Sequence, residues 1–294
     1  GGGNVTEPID VLMITYRRPD YLRRTLPHLL DNCDEGMRVW LWHNGDDAET
    51  LAVARSHAEH PRVHRFHHSP RNVGLTEPTN WLWTNSDGAF VSKIDDDCLL
   101  EPGWARKLEA VHAADPRFGV LGSWRFQDED FVPGLAVPKI GRFGGHRVLL
   151  NFWVQGSGYL LRRACIERHG VLRPGWSFPY YCQQLALAGW VNGWPYPFVR
   201  EDHMDDPRSP NSLLRTDEDL LAELPLSARR TGVTTLSAWA AQQQRSARIV
   251  QAASIDPDDY RGWRKALRST RLRLHLGGTE VPIRNRQALE PLAR

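Results

Sequence analysis

The sequence predicts an α/β fold, a mostly parallel sheet flanked by helices and followed by a helical C-terminal extension. Three observations predict it. Short apolar runs alternate with segments of helical spacing over the first two hundred residues. Turn residues or charged clusters follow those runs, where strands leave a sheet. From Leu213 the pattern is helical to the end.

The elements follow in order. Ile9 to Thr15 is a continuous apolar strand of the buried, parallel type. Tyr16 to Asp20 turns the chain, and Tyr21 to Asn32 places Leu22, Leu26, Leu29 and Leu30 at helical spacing. Met37 to Trp42 is a second strand, ended by Asn44-Gly45. Asp46 to His60 reads as a helix, Val63 to His67 as a strand, Glu77 to Thr84 as a helix and Phe90 to Ile94 as a fourth strand. This alternation predicts right-handed crossovers between parallel strands. Trp104 to Ala114 is a helix stopped at Asp115-Pro116, and Phe118 to Phe126 a strand. Residues 127 to 150 are Gly- and Pro-rich and are expected to be irregular. Trp153 to Arg162 returns to strand, Ala164 to His169 and Tyr180 to Ala188 to helix, and Val191 to Val199 is a final strand region. Asp217 to Glu223, Leu236 to Ala252 and Pro257 to Leu267 are helices of the extension. The expected division is residues 4–210 for the sheet domain and 211–294 for the extension.

Composition narrows the function classes. A chain of 294 residues with twelve Trp has material for a sizeable core. A net charge of +2 gives no overall electrostatic case for nucleic acid. Cys33, Cys98, Cys165 and Cys182 are scattered without zinc spacing, so reduced thiols and a cytoplasmic location are expected. No apolar run is long enough to span a bilayer, and no signal peptide is legible; Gly1-Gly2-Gly3 reads as a cloning remnant. Beyond Gln251 arginine outnumbers acid, which is either a solvated basic face or a surface for an anionic acceptor or a membrane.

Four clusters carry chemistry. Thr15-Tyr16-Arg17-Arg18-Pro19 ends the first strand, with a ring to stack on a base and guanidinium groups for phosphate. Arg71 to Asn80 joins the third strand to the third helix; Gly74 permits close approach of backbone to a ligand, Thr76 suits an N-cap, and Asn72 and Asn80 offer amides. Asp95-Asp96-Asp97 ends the fourth strand, where open α/β sheets bind their ligands. Three adjacent carboxylates repel one another unless a cation sits among them, and Mg2+ or Mn2+ carrying a phosphorylated ligand suits such oxygens. Val199 to Ser209 follows the last strand, with His203 a candidate metal ligand and Arg208 a phosphate clamp.

The order of these clusters resembles the family 2 glycosyltransferases, which have the GT-A fold. The carrying residues are Ile9 to Pro19, Asn44-Gly45-Asp46, Asn72-Val73-Gly74 with Asn80, Lys93 to Asp97 with Pro102-Gly103-Trp104, Gly156 to Arg163, and His203. The resemblance implies a metal-dependent enzyme that moves a sugar from a nucleotide-diphosphate sugar to an acceptor, with inversion. It implies that Thr15, Tyr16 and Arg17 lie against the base and Asp95 faces the ribose. Asn44, Asn72, Gly74, Asn80, Asp96 and Arg208 complete the donor site, and Asp97 with His203 holds Mn2+ or Mg2+. The cation would stabilise the leaving diphosphate.

Two departures stand out. The turn after the second strand is Trp42-His43-Asn44, where the family commonly has an aspartate, so Asn44 or Asp46 would substitute. The family's acidic pair before the acceptor-side helix is replaced by Trp176 to Gln184, without a carboxylate. The base would then be Glu201, Asp202 or Asp205; an acceptor that needs no strong base and a retaining reaction are the other readings. Trp176, Phe178, Tyr180 and Tyr181 suit an acceptor with a sugar face or aromatic character, or plain core packing. A homodimer through the C-terminal helices is a further expectation. The rivals are a sugar nucleotidyltransferase, disfavoured because Thr15 to Asp20 has no glycine, and a non-catalytic sugar-nucleotide or carbohydrate-binding protein. A phosphatase with an aspartate nucleophile is disfavoured because the Asp triplet follows the fourth strand.

Overall fold

A computed structural model describes residues 6–223 and 225–276. The leading glycines and the basic end of the chain, where part of the arginine-rich surface and of the expected dimer contact would fall, lie outside the described residues.

The first strands form as their apolar continuity requires. β1 (Ile9–Thr15) is buried at every position. It pairs in parallel with β2 (Met37–Asn44) and β4 (Phe90–Asp95), and β3 (Val63–Ser69) continues the parallel set beside β2. Side chains alternate faces along β1: Val11 and Met13 pack on one side, Leu12 and Ile14 on the other. Both faces are therefore covered. Leu22, Leu26, Leu29 and Leu30 of α1 (Pro19–Asp31) and Leu108 and Val111 of α4 (Trp104–His112) cover the first. Leu82 and Trp83 of α3 (Thr76–Asn85) and Tyr181 and Leu185 of α7 (Phe178–Leu187) cover the second. α2 (Ala48–Ser56) is capped by Asp47, whose carboxylate accepts from the Thr50 amide.

The sheet continues past β4 through β9 (Tyr159–Arg162), β6 (Phe118–Gly122) and β10 (Val191–Tyr196) to a hairpin of β8 (His146–Leu150) and β7 (Ile140–Phe143). All strands of this nine-stranded sheet run one way except β8 and β9. The hairpin corrects the expectation that 127–150 is irregular: Gly144-Gly145 is its turn, and Val148 and Leu149 pack into the two cores. The expected strand from Trp153 begins only at Tyr159, because Trp153 and Val154 enter the core from a loop. Thr76 lies inside α3 rather than capping it; Leu75 holds the cap position without a side-chain bond. A separate ribbon pairs β5 (Cys98–Leu100) with β11 (Glu201–His203), the short α5 (Pro133–Ala136) precedes the hairpin, and α6 (Arg163–His169) follows β9.

The extension carries α8 (Asp217–Glu223), α9 (Leu226–Thr231), α10 (Leu236–Ala252) and α11 (Gly262–Leu276), with a 3-10 turn at Pro257–Tyr260. It is fastened to the sheet domain. Ala247, Ala253 and Tyr260 join the larger core, and Trp239 heads a small one with Leu214, Leu220 and Ala228. The Gln251 amide donates to the Asp130 carbonyl and accepts from the Val132 amide.

Candidate active site

The C-terminal ends of β1, β2 and β4 and the ribbon at His203 open on one cleft of about 1110 Å³. Its floor comes from the strand ends and carries Tyr16, Arg17, Arg18, Asn44, Asp95, Asp96 and Asp97. Its roof comes from α8, α9 and α10, with Glu223, Arg229, Arg230, Trp239 and Arg245. A side hollow of about 230 Å³ adjoins it between Tyr16, Arg17, Gly45, Asp46 and Asn72.

Each floor residue has a local cause. Arg17, two residues past the end of β1, takes φ +47°, a left-handed conformation that is rare without glycine. The Tyr16 ring lies over Gly45, where an added Cβ would stand 3.5 Å from it. Asn44 fastens the end of β2 to the next loop: its amide donates to the Gly74 carbonyl at 3.0 Å, and its oxygen accepts from the Trp42 indole at 2.9 Å. Gly74 has φ +79°, which a side chain would strain.

Strand pairing builds the acidic end. Antiparallel register between β5 and β11 sets His203 opposite Cys98, so His203 Nε2 lies 3.2 Å from Asp97 Oδ2. Burial alone would raise Asp97, yet His203 and Arg18 hold it well below the usual carboxylate range. Burial lowers His203, and Asp97 outweighs it and raises the imidazole. Burial pushes Asp96 up, with Arg18 opposing and its carboxylate neighbours adding. Asp95 is bonded by the buried Lys93 ammonium, and its amide donates to Ser157 Oγ at 3.0 Å. Asp205 accepts both guanidinium nitrogens of Arg18. Ligating atoms of Asp97, His203 and Asp205 lie within 4.8 Å of one another, as do those of Asp95, Asp97 and Cys98. Two carboxylates and an imidazole fit a hard or borderline divalent cation.

The structure brings Tyr16, Arg17, Asn44, Asn72, Gly74, Asp95, Asp96, Asp97 and His203 together on the cleft. It does not bring the others. Thr15 is buried beneath, its hydroxyl 2.7 Å from His43 Nδ1. Asn80 braces the chain at Leu172, donating to its carbonyl and accepting from its amide. Arg208 is locked between Asp130 and Asp206. Asp202 accepts from Ser209 Oγ and Asn211, away from the cleft. Glu201 lies under Gly158, where an added Cβ would meet its carboxylate at 2.1 Å, and it accepts from Ser123 Oγ at 2.5 Å. Its burial raises its pKa. Neither of these two carboxylates therefore faces the cleft. Phe178 stacks on Tyr159 and Tyr181 packs on Trp83, so half of the expected aromatic cluster is core. Arg125 and the roof residues were not singled out, whereas Arg18 and Asp205, expected as a phosphate contact and as one possible base, pair with each other on the cleft floor. The roof had no signal in the sequence beyond helical spacing.

Comparison with known proteins agrees with this geometry. The model of Glycosyl transferase family 2 matches residues 10–163. No curated protein matches the chain. Among solved structures it is similar to mannosyltransferase PcManGT from Pyrobaculum calidifontis, solved in complex with GDP-Man and Mn2+. Identity is 15% and the TM-score 0.57, over 98% of this chain and 87% of that one, a likeness of fold. The matched segment holds β1 to β4, the Asp triplet and the strand that follows, about half of the sequence and most of the cleft floor, and on that match the chain belongs to glycosyl transferase family 2 and is a glycosyltransferase.

Proposed function

We propose that the protein moves a sugar from a nucleoside-diphosphate sugar to an acceptor with inversion, assisted by Mn2+ or Mg2+. The observation that carries this reading is the convergence on one cleft of an aromatic ring, two arginines, the Asn44–Gly74 link and the Asp97–His203–Asp205 cluster. Each has a part in holding a donor. The side hollow beside Tyr16 and Gly45 takes the base, with Asp46 and Asn72 at its edge. Asp95, oriented by Lys93, faces the ribose. Arg17 and Arg18 face the diphosphate. Asp97, His203 and Asp205 would hold the cation, which supplies positive charge where the leaving diphosphate gains negative charge.

Inversion needs a group that takes the acceptor proton. Of the carboxylates that line the cleft, Glu223 on α8 is the one outside the strand-end cluster, and it stands on the roof. It has the role first sought in Glu201 and Asp202. Glu223→Gln should lower kcat by about 100-fold, the usual weight of such a base, without weakening donor binding. Equal loss in Glu201→Gln or Asp202→Asn with a normal Glu223→Gln returns the base to the ribbon. Product anomer by NMR decides inversion.

The mannosyltransferase of similar fold carries GDP-Man and Mn2+, so guanosine and uridine donors are the first probes. Thermal-shift measurement against nucleoside-diphosphate sugars, with and without Mn2+, tests the whole reading. A ligand of the folded state raises Tm by mass action. A Mn2+-dependent rise with one nucleotide family is expected. No rise with any donor leaves a family scaffold without donor binding, and the reading fails.

A further inference from the structure

We propose that Arg18 is a built-in cation that occupies the metal site until the donor's diphosphate draws it away, so that metal and donor bind cooperatively. The inference rests on the metal-dependent reading above.

The geometry is specific to one side chain. Arg18 Nη1 is 2.9 Å from Asp205 Oδ2 and Nη2 is bonded to Oδ1, so both oxygens of that carboxylate are engaged. Nη1 is also 3.7 Å from Asp97 Oδ2, and Nε is 3.8 Å from Glu223 Oε2 on the roof. The guanidinium lies 3.6 Å from the centre of the Tyr21 ring, which fixes its plane. Arg18 thus touches two of the three residues that would hold the cation.

A divalent ion ligated by Asp97 and Asp205 would stand within a few ångströms of this guanidinium. Like charges at that separation in a buried site oppose each other strongly. Arg18 must therefore give up Asp205 when the ion takes it. A displaced guanidinium needs another anion, and its planar fork matches a diphosphate. Arg18 sits in the β1–α1 turn beside Arg17, and both line the cleft. The exchange is balanced in charge: the ion takes the carboxylate, and Arg18 takes a phosphate oxygen brought by the donor. Release of Arg18 also breaks its contact with Glu223, which frees the α8 carboxylate as the donor enters.

The test measures Mn2+ binding rather than turnover. Free Mn2+ is followed by EPR in titrations of wild type, Arg18→Gln and Arg18→Lys, first alone and then with saturating GDP or UDP. Circular dichroism and Tm report folding. Arg18→Gln should bind Mn2+ alone about tenfold more tightly than wild type, since one repelling charge is gone. Arg18→Lys should fall between, because an ammonium cannot engage both oxygens of Asp205. The nucleotide should sharpen Mn2+ affinity more in wild type than in Arg18→Gln. Folded Arg18→Gln with the Mn2+ affinity of wild type, or a weaker one, overturns the proposal while leaving the metal-dependent reading in place. Should Arg18→Gln not fold, Arg18→Lys decides alone, by tighter or by unchanged binding. No Mn2+ binding in any form, with or without nucleotide, overturns both readings.

Discussion

The floor and the roof of the cleft are made by different means. The floor is a product of register: parallel pairing of β1 with β2 and β4 brings Thr15 level with His43 and Ile14 level with Asp95, so the following residues emerge at one edge. The roof is a product of packing. Trp239 is 1% exposed, and its indole donates to the Asp205 carbonyl at 2.7 Å, tying α10 to the loop after β11. A floor made by register has its ligand positions fixed by backbone hydrogen bonds. A roof held by a few side chains can shift its position on ligand binding at lower cost. In the proposed function the floor takes the donor and the roof faces the acceptor.

The largest expected effect lies on the floor. Asp97→Ala removes the carboxylate shared by both candidate metal sets and should cut metal-dependent donor affinity by at least about 100-fold, with the fold retained by circular dichroism. Isothermal titration with donor and Mn2+ checks it, and an unchanged affinity removes Asp97 from the metal site. Trp239→Ala attacks the roof. Emptying that buried position and leaving the Asp205 carbonyl without its indole should cost about 3–5 kcal/mol of roof stability. Urea titration and limited proteolysis should show the extension loosening first. Simultaneous loss of the β1–β4 core would mean that floor and roof are one cooperative unit.

Legibility in the sequence divides along the same line. Ile9-Asp10-Val11-Leu12-Met13-Ile14-Thr15 announces a strand buried on both faces, and a cluster that follows such a strand falls at the sheet edge whatever the rest of the chain does. Tyr16, Arg17, Asn44 and the Asp triplet were readable for that reason, and Gly74 as a glycine in the loop between β3 and α3. Asn80, Glu201, Asp202 and Arg208 sit in the right segments, but side-chain direction decides their fate, and direction depends on partners far away in the chain. Arg208 meets Asp130, and Arg18 meets Asp205 across 187 positions. No local pattern records such pairings. The β7–β8 hairpin escaped because its strands are four and five residues long and flank a Gly-Gly turn among polar residues. α9 is one and a half turns, too short for a periodic signal.

Two buried bases carry the comparison into pH. His112 packs behind the floor, against Phe90 and Phe118, and bonds the Leu160 carbonyl at 3.0 Å. Burial, with help from Arg162, lowers it from 6.5 to about 3. The unfolded chain therefore takes up this proton first, and stability falls as pH drops from 6.5 toward 3 by several kcal/mol. His112→Gln, which keeps a donor for Leu160, should be less stable at pH 8 and should flatten the slope between those limits. Chemical denaturation across pH measures it, and an unchanged slope moves the acid sensitivity elsewhere.

Lys139 marks the roof side and carries the smallest effect. Its ammonium is buried without a carboxylate partner among the described residues and donates to Asn151 Oδ1 at 3.1 Å and to the Val250 carbonyl near the end of α10 at 2.8 Å. Burial lowers its pKa from 10.5 to about 7. Here too the unfolded state binds the proton more readily, so stability falls as pH drops from 10.5 to about 7 and is flat below. At neutral pH the penalty is nearly complete, whereas that of His112 has barely begun. Lys139→Met keeps the length of the chain and removes the charge. It should stabilise the protein by about 1 kcal/mol at pH 7, the desolvation penalty less two lost hydrogen bonds, and should abolish the alkaline slope. Destabilisation by Lys139→Met at pH 7 would mean that the bond to Val250 outweighs the buried charge, and that Lys139 holds the end of α10 against the hairpin as firmly as Trp239 holds its start.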